Sequence, residues 1–165
     1  MLSRRILQKM LTKPLVSSFS CSGFSSLSVA GDILKQARVF ASSDVLEYSK
    51  LSLDSNPLHF DLESAQKAGF EDRLVPGMLV ASLFPRIIAS HFPGAVYVSQ
   101  SLQFKSPVYI GEEVIGEVQA TNIRAIKNNA KFTTKCFKHG NHLVIDGEAT
   151  AILPTLAMEQ GQSNG

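Results

Sequence analysis

The sequence predicts an α+β domain in which an antiparallel sheet wraps around one central buried helix, and three observations support this. Residues 74–89 are apolar on nearly every side until Arg86, a pattern typical of a helix that is buried all round. From Val96 onwards, apolar and polar residues alternate with the period of two that strands show. The turns between these later segments are short, which favours antiparallel neighbours.

The first 30 residues differ in composition from the rest of the chain. They contain no acidic residue, eight serines and four basic residues, and at helical spacing the apolar side chains of residues 2–11 fall on one side. This combination is typical of an organelle transit peptide, whereas Lys9 and Lys13 interrupt the apolar run that a secretory signal needs. We predict a mitochondrial transit peptide over residues 1–30. A plastid address and a tail without any address are the alternatives.

The chain after this leader has the size and composition of one folded domain. With 165 residues and 44% apolar residues in all, it can bury a sizeable core, and we assign residues 31–155 to the domain and residues 156–165 to a disordered tail. The formal charge of +2 arises in the leader: without its four basic residues, 12 basic residues face 14 acidic ones. Such a body lacks the basic footprint of nucleic-acid binding. It also has Cys136 as its single cysteine, so the sequence offers no disulfide and no metal-ligand spacing.

The segments before the buried helix carry local start and stop signals. Residues 39–40 can close a short strand. Residues 42–44, with Glu47 three positions after the aspartate, resemble the start of a helix of about two turns. Asp61 can cap a second short helix, which Gly69 would end.

The segments after the buried helix predict four strands. Pro85 should kink the helix or end its regular part, and the helix is too short and too interrupted to cross a bilayer. The strand that begins at Val96 ends before Pro107 and should carry Val96, Val98, Leu102 and Phe104 on one face. The other strands span residues 114–124, 131–138 and 142–153, with turns at 127–129 and 139–141 and with Leu143, Ile145, Ala149 and Ala151 on one face of the last.

One short segment carries the residues best suited to acid–base chemistry. It contains Asp54 and His59 around an Asn56-Pro57 step, and Pro57 forces Asn56 out of the helical region. The carboxylate and the imidazole therefore flank a stiff bend that can aim both into one volume, where they could move protons to and from a substrate. The alternative is structural: Asp54 caps a turn and His59 is a buried histidine with a satisfied hydrogen bond.

A second feature of chemical interest is the Pro76-Gly77 pair at the start of the buried helix. The first N–H groups of a helix have no partner within it and favour negative charge. The alternative for Gly77 is a simple helix start or tight packing.

Four ordered blocks together resemble the (R)-specific enoyl hydratases, the hydratase-2 or MaoC-like group of hot-dog fold enzymes. The resemblance covers roughly residues 38–153. With its leader, the sequence looks most like the mitochondrial 3-hydroxyacyl-thioester dehydratases of the acyl-carrier-protein pathway, those of plants included. The blocks are Asp54-x-Asn56-Pro57-x-His59; Pro76-Gly77-Met78 with Ala81-Ser82-Leu83; Pro93-Gly94; and Tyr97-x-x-Gln100-Ser101-Leu102-x-Phe104-x-x-Pro107-Val108 followed by Gly111-Glu112-Glu113-Val114.

The sequence departs from this family at three positions near the proposed site. Leu53 stands where the family usually has glycine, which reduces backbone freedom beside Asp54. Pro76 stands where the family usually has histidine, which removes a polar group but leaves the N–H of Gly77 in place. Pro85 falls where bacterial relatives often carry a small polar residue that assists the acid–base pair.

The resemblance implies a function and a set of site residues. We expect the substrate to be an acyl thioester on acyl carrier protein or coenzyme A, and the protein to be a homodimer. The resemblance implies no metal and no other cofactor. It also implies no nucleic acid and no membrane as a partner. A thioesterase or a non-catalytic acyl-carrier-binding protein of the same fold is the alternative. His91, His139 and His142 fall outside the motif and are predicted at turns or on the surface. The implied catalytic residues are Asp54, His59 and Gly77, with Asn56, Pro76 and Met78 at the substrate.

Overall fold

A computed structural model describes residues 32–124 and 129–153. The predicted transit peptide, the tail and part of the turn at 127–129 lie outside the described residues. Within these ranges one strand comes first, helices and a 3-10 turn follow, and four strands come last, as the sequence predicted. The elements are β1 Ile33–Val39, α1 Ser42–Ser52, a 3-10 turn Pro57–His59, α2 Leu62–Lys67, α3 Gly77–Ala81, α4 Leu83–His91, β2 Val96–Phe104, β3 Glu113–Arg124, β4 Asn129–Lys138 and β5 His142–Ile152.

The five strands form one sheet in the order β1-β3-β4-β5-β2, and every neighbouring pair is antiparallel. Helix α4 packs against this sheet, and its Phe84, Ile87 and Ile88 are almost completely buried. Gly116 of β3 permits this close approach, because a Cβ atom there would lie 3.2 Å from Ile87 Cδ1 and from Leu83 Cβ. The α+β prediction is confirmed, and the arrangement is the hot-dog fold that the resemblance implied.

The helix predicted over residues 74–89 is two helices with one exposed side. Pro85 has no N–H to donate to the carbonyl of residue 81, four positions earlier, and the regular helix is interrupted at Ser82, whose backbone stays in the right-handed helical region. The predicted interruption is therefore confirmed, but it lies before the proline. The prediction that the helix is buried all round is wrong for the single chain, since Met78 is 58% exposed and Arg86 is also exposed.

Helix α1 begins differently from the prediction and is longer, at 11 residues. Ala41 is the N-cap residue, and Asp44 lies in the first turn, where its Oδ2 accepts a hydrogen bond from the Ala41 N–H at 2.8 Å. Asp44 thus supplies the returning bond of a capping box, the role predicted for Glu47. For α2 the prediction is confirmed: Asp61 Oδ2 accepts a bond from the Ser64 N–H at 2.7 Å, and Gly69 follows the helix with φ of +90°.

A bulge in β2 changes which side chains face the core. The pairing of β2 with β5 shifts between Tyr97 and Ser99, so Val96 and Val98 are more than half exposed while Tyr97 and Gln100 lie opposite buried alanines of β5. The single-face prediction for this strand is therefore wrong before the bulge. Burial raises the pKa of Tyr97 to about 12.

The turn between β4 and β5 agrees with its prediction, since His139, Gly140 and Asn141 all have positive φ. Within the two described ranges, none of the helices is both long and apolar enough to cross a bilayer.

Candidate active site

The segment after α1 presents Asp54. Leu53 ends the helix in the left-handed conformation with φ of 59°, and its N–H donates to the Ser49 carbonyl at 2.8 Å. The next N–H, that of Asp54, donates to Ser52 Oγ at 3.2 Å. The carboxylate therefore follows directly on a helix end whose backbone is held by two hydrogen bonds.

The Asn-Pro step is held by two further local hydrogen bonds. Asp54 Oδ1 accepts from the Asn56 N–H at 3.1 Å, and Asn56 Oδ1 accepts from the Leu58 N–H at 3.2 Å. Asn56 has ψ of 122°, the extended conformation that Pro57 imposes on the residue before it. Asn56 thus fixes the bend, and it is not among the residues that line the adjacent cavity.

The imidazole of His59 lies between a backbone carbonyl and the carboxylate of Asp54. Its Nδ1 is 2.9 Å from the Leu74 carbonyl oxygen, which can only accept, so Nδ1 carries the hydrogen. In the neutral ring Nε2 is then the free proton acceptor. Nε2 lies 3.6 Å from Asp54 Oδ2, and the His59 side chain is 11% exposed whereas that of Asp54 is 41% exposed. At this distance the two groups face each other without a direct hydrogen bond.

His59 opens onto a largely apolar cavity of about 450 Å³. A cavity of this size and lining suits an acyl chain better than a polar ligand. The lining includes His59, Gly77 and Met78, together with Phe70, Leu74, Val80, Phe104, Pro107 and Val144.

Gly77 is the first residue of α3, so its N–H has no partner within the helix. A Cβ atom at this position would lie 2.7 Å from Phe104 Cε1, which means that the Phe104 ring packs directly on Gly77. The helix start and the tight packing are therefore both present. Met78 lines the cavity, whereas Pro76, the residue directly before α3, is buried and is not among the lining residues.

The contact of His59 with the Leu74 carbonyl and the contact of Phe104 with Gly77 could not be predicted from local sequence. The Leu74 carbonyl that binds His59 is placed by an antiparallel bridge between Leu74 and Tyr109. No local sequence pattern predicts this bridge. Phe104 lies in one of the sequence blocks that carry the family resemblance, and this membership is the one sequence feature that could have marked Phe104 as a site residue.

The remaining candidate groups lie elsewhere. His91, His139 and His142 are exposed, as predicted. Cys136 is buried and unpaired, and burial raises its pKa to about 12. In the part of the chain that the structure describes, no group of three or more His, Cys, Asp or Glu side chains could hold a metal ion.

Comparisons with known proteins show the family to which this chain belongs. The MaoC like domain family model matches residues 25–140. A mitochondrial 3-hydroxyacyl-[acyl-carrier-protein] dehydratase of Solanum lycopersicum is 67% identical over 156 residues, which cover 91% of this chain and 94% of the relative. An Arabidopsis thaliana protein that is also named a mitochondrial 3-hydroxyacyl-[acyl-carrier-protein] dehydratase is 62% identical over 149 residues, with 88% and 90% covered.

Solved structures extend the comparison to the fold. The (R)-hydratase of Aeromonas caviae superposes with a TM-score of 0.74 at 39% identity, over 78% of this chain and 99% of that one. The sequence resemblance, the fold and the matched family model thus agree with one another. The chain belongs to the MaoC-like domain family and is an enzyme of the dehydratase and hydratase class.

Proposed function

We propose that this enzyme interconverts (R)-3-hydroxyacyl and trans-2-enoyl thioesters carried on acyl carrier protein, in mitochondrial type II fatty acid synthesis. The observation that carries the proposal is the Asp54–His59 pair, whose side chains face each other at 3.6 Å beside an apolar cavity. The names of the two plant relatives supply the carrier protein and the mitochondrion, and the location agrees with the one predicted from the leader.

Dehydration requires one proton to leave C2 of the acyl chain and another to reach the departing 3-hydroxyl group. One member of the pair accepts the first proton and the other donates the second. For His59 the working atom is Nε2, because Nδ1–H is held by the Leu74 carbonyl. After one turnover the pair is restored when a proton passes between Asp54 and Nε2. Hydration runs through the same steps in reverse.

Negative charge develops on the thioester oxygen as the C2 proton leaves. The N–H of Gly77 supports this step, because it begins α3, lines the same cavity as His59 and has no partner within the helix. Met78 contributes apolar contact to the acyl chain. Asn56 holds the bend, and Pro76 sets the direction of the helix start.

The enzyme is also proposed to be a homodimer. Strand β2 is an edge strand, and its Val96, Val98 and Phe104 are 57%, 56% and 52% exposed. A second copy would remove this apolar surface from water and would pair the open edge. Light scattering at micromolar concentration should therefore give twice the mass of the chain, and a monomer mass would contradict the dimer.

The acid–base pair is tested by Asp54→Asn, His59→Ala and the double variant. Each single change should lower the rate by about 10²-fold or more, and the double variant should be little worse than the poorer single one, because the groups act together. His91→Ala is the matched control, since His91 is exposed at the end of α4 and its Nδ1 bonds the Ile87 carbonyl, outside the cavity that His59 lines. Enoyl absorbance reports turnover, and the thermal midpoint of the same samples reports folding.

The outcomes of this assay distinguish the alternatives. Stable Asp54 and His59 variants with near wild-type turnover would leave the two residues with only structural roles. Release of free thiol without any change in enoyl absorbance would indicate a thioesterase. A wild-type protein that binds acyl carrier protein but turns over no thioester would be a non-catalytic binding protein.

A further inference from the structure

Lys105 is a cation on the wall of the cavity that contains His59 and Gly77. It directly follows Phe104, whose ring packs on Gly77, and it is exposed. Of the residues that line this cavity in the described ranges, His59 and Lys105 alone are ionisable. An otherwise apolar cavity thus has one group suited to proton transfer and one permanent positive charge.

The backbone that carries Lys105 is held firmly. The Lys105 N–H donates to the Val144 carbonyl at 2.8 Å, and the Pro107 carbonyl accepts from Lys138 Nζ at 2.7 Å. Lys138 is in turn paired with Glu112 at 3.0 Å. Lys105 itself has no ion-pair partner among the residues that the structure describes.

An unpaired cation beside an acyl-binding cavity fits the chemistry of a thioester carrier. Coenzyme A and the prosthetic group of acyl carrier protein both hold the acyl group on a pantetheine arm that ends in a phosphate. A lysine ammonium binds phosphate as a point charge with three donors. We infer that Lys105 binds the phosphate of the pantetheine arm while the acyl group occupies the cavity beside His59. This inference rests on the proposed function and adds a carrier subsite to it.

The test compares two substrates that differ by one phosphate. These are trans-2-enoyl thioesters of pantetheine and of 4′-phosphopantetheine, with an acyl chain that the wild type hydrates. Lys105→Ala should lower kcat/KM for the phosphopantetheine thioester by about tenfold, through KM with kcat retained, because one charged contact is lost. The pantetheine thioester should be unaffected. Lys105→Arg should restore most of the loss, and added salt should weaken the wild-type preference for the phosphate.

Lys131→Ala is the matched control. Lys131 is an exposed lysine of β4 that does not line this cavity and, within residues 32–124 and 129–153, has no ion pair either. It should leave both thioesters unchanged. Repeating the comparison with the coenzyme A and acyl-carrier-protein thioesters shows whether the subsite serves both carriers or one of them.

Two results would overturn the inference and leave the proposed function standing. One is an equal loss with both thioesters in Lys105→Ala, which would mean that Lys105 acts on the acyl part or on the fold. The other is no loss with either. If the wild type turned over no trans-2-enoyl thioester on any of these carriers, the proposed function itself would fail, and the carrier subsite with it.

Discussion

Leu53 offers a sharp test of the backbone argument beside Asp54. It has φ of 59°, in the left-handed region that favours glycine, and its side chain is 84% exposed, so little burial compensates. A left-handed conformation costs an L-residue about 1–2 kcal/mol. Two effects oppose this gain. The greater freedom of glycine in the unfolded chain destabilises the fold by about 0.5–1 kcal/mol, and loss of the roughly one sixth of the Leu53 surface that is buried costs about 0.3 kcal/mol. Leu53→Gly should therefore stabilise the fold by about 0.5 kcal/mol.

Leu51→Gly is the matched control, because Leu51 is 86% exposed but lies within helix α1. Glycine in a helix costs about 0.8 kcal/mol relative to leucine, so the two leucine-to-glycine changes should have opposite signs. Urea unfolding at one fixed protein concentration measures both, since a dimer would make the midpoint concentration-dependent.

A midpoint for Leu53→Gly at or below that of Leu51→Gly would refute the strain argument. Turnover should stay close to the wild type in Leu53→Gly, because the hydrogen bonds that hold Asp54 run through Ser52 and Asn56 and not through the leucine side chain.

Two further predictions follow from the packing around the site. Gly77→Ala should push the Phe104 ring from the cavity wall, since the new Cβ would lie 2.7 Å from Cε1, and kcat/KM for the enoyl thioester should fall while the chain stays folded by circular dichroism. A fully active Gly77→Ala enzyme would show that Phe104 can move without cost. Thr134 is completely buried, and its Oγ1 accepts from Gln100 Nε2 at 3.0 Å. Thr134→Val should cost about 1 kcal/mol of unfolding free energy in a denaturant titration, because Gln100 Nε2 keeps its bond to the Ser101 carbonyl. Gln100→Leu should cost more, about 1–3 kcal/mol, because it leaves the buried Thr134 hydroxyl without its Gln100 partner. Equal midpoints for the wild type and Gln100→Leu would contradict this role of the network.

The sequence alone determined the features that depend on neighbouring residues. The Asn56-Pro57 step, the Asp61 cap and the 139–141 turn follow from dihedral preferences and short side-chain bonds, and these act within a few positions of the chain. The alternation of apolar and polar residues predicted the strands in the same way. The MaoC-like resemblance rested on such local blocks too, and it supplied the family.

Only the tertiary structure decided how these local pieces meet. The proton on His59 Nδ1 is fixed by the Leu74 carbonyl, which is 15 positions away and is placed by pairing with Tyr109. The bulge after Tyr97 and the exposed side of α4 likewise result from pairing and packing between distant segments. Lys105 and His59 line one cavity for the same reason, because contacts between distant segments depend on the register and layering of the whole chain and leave no local pattern to read.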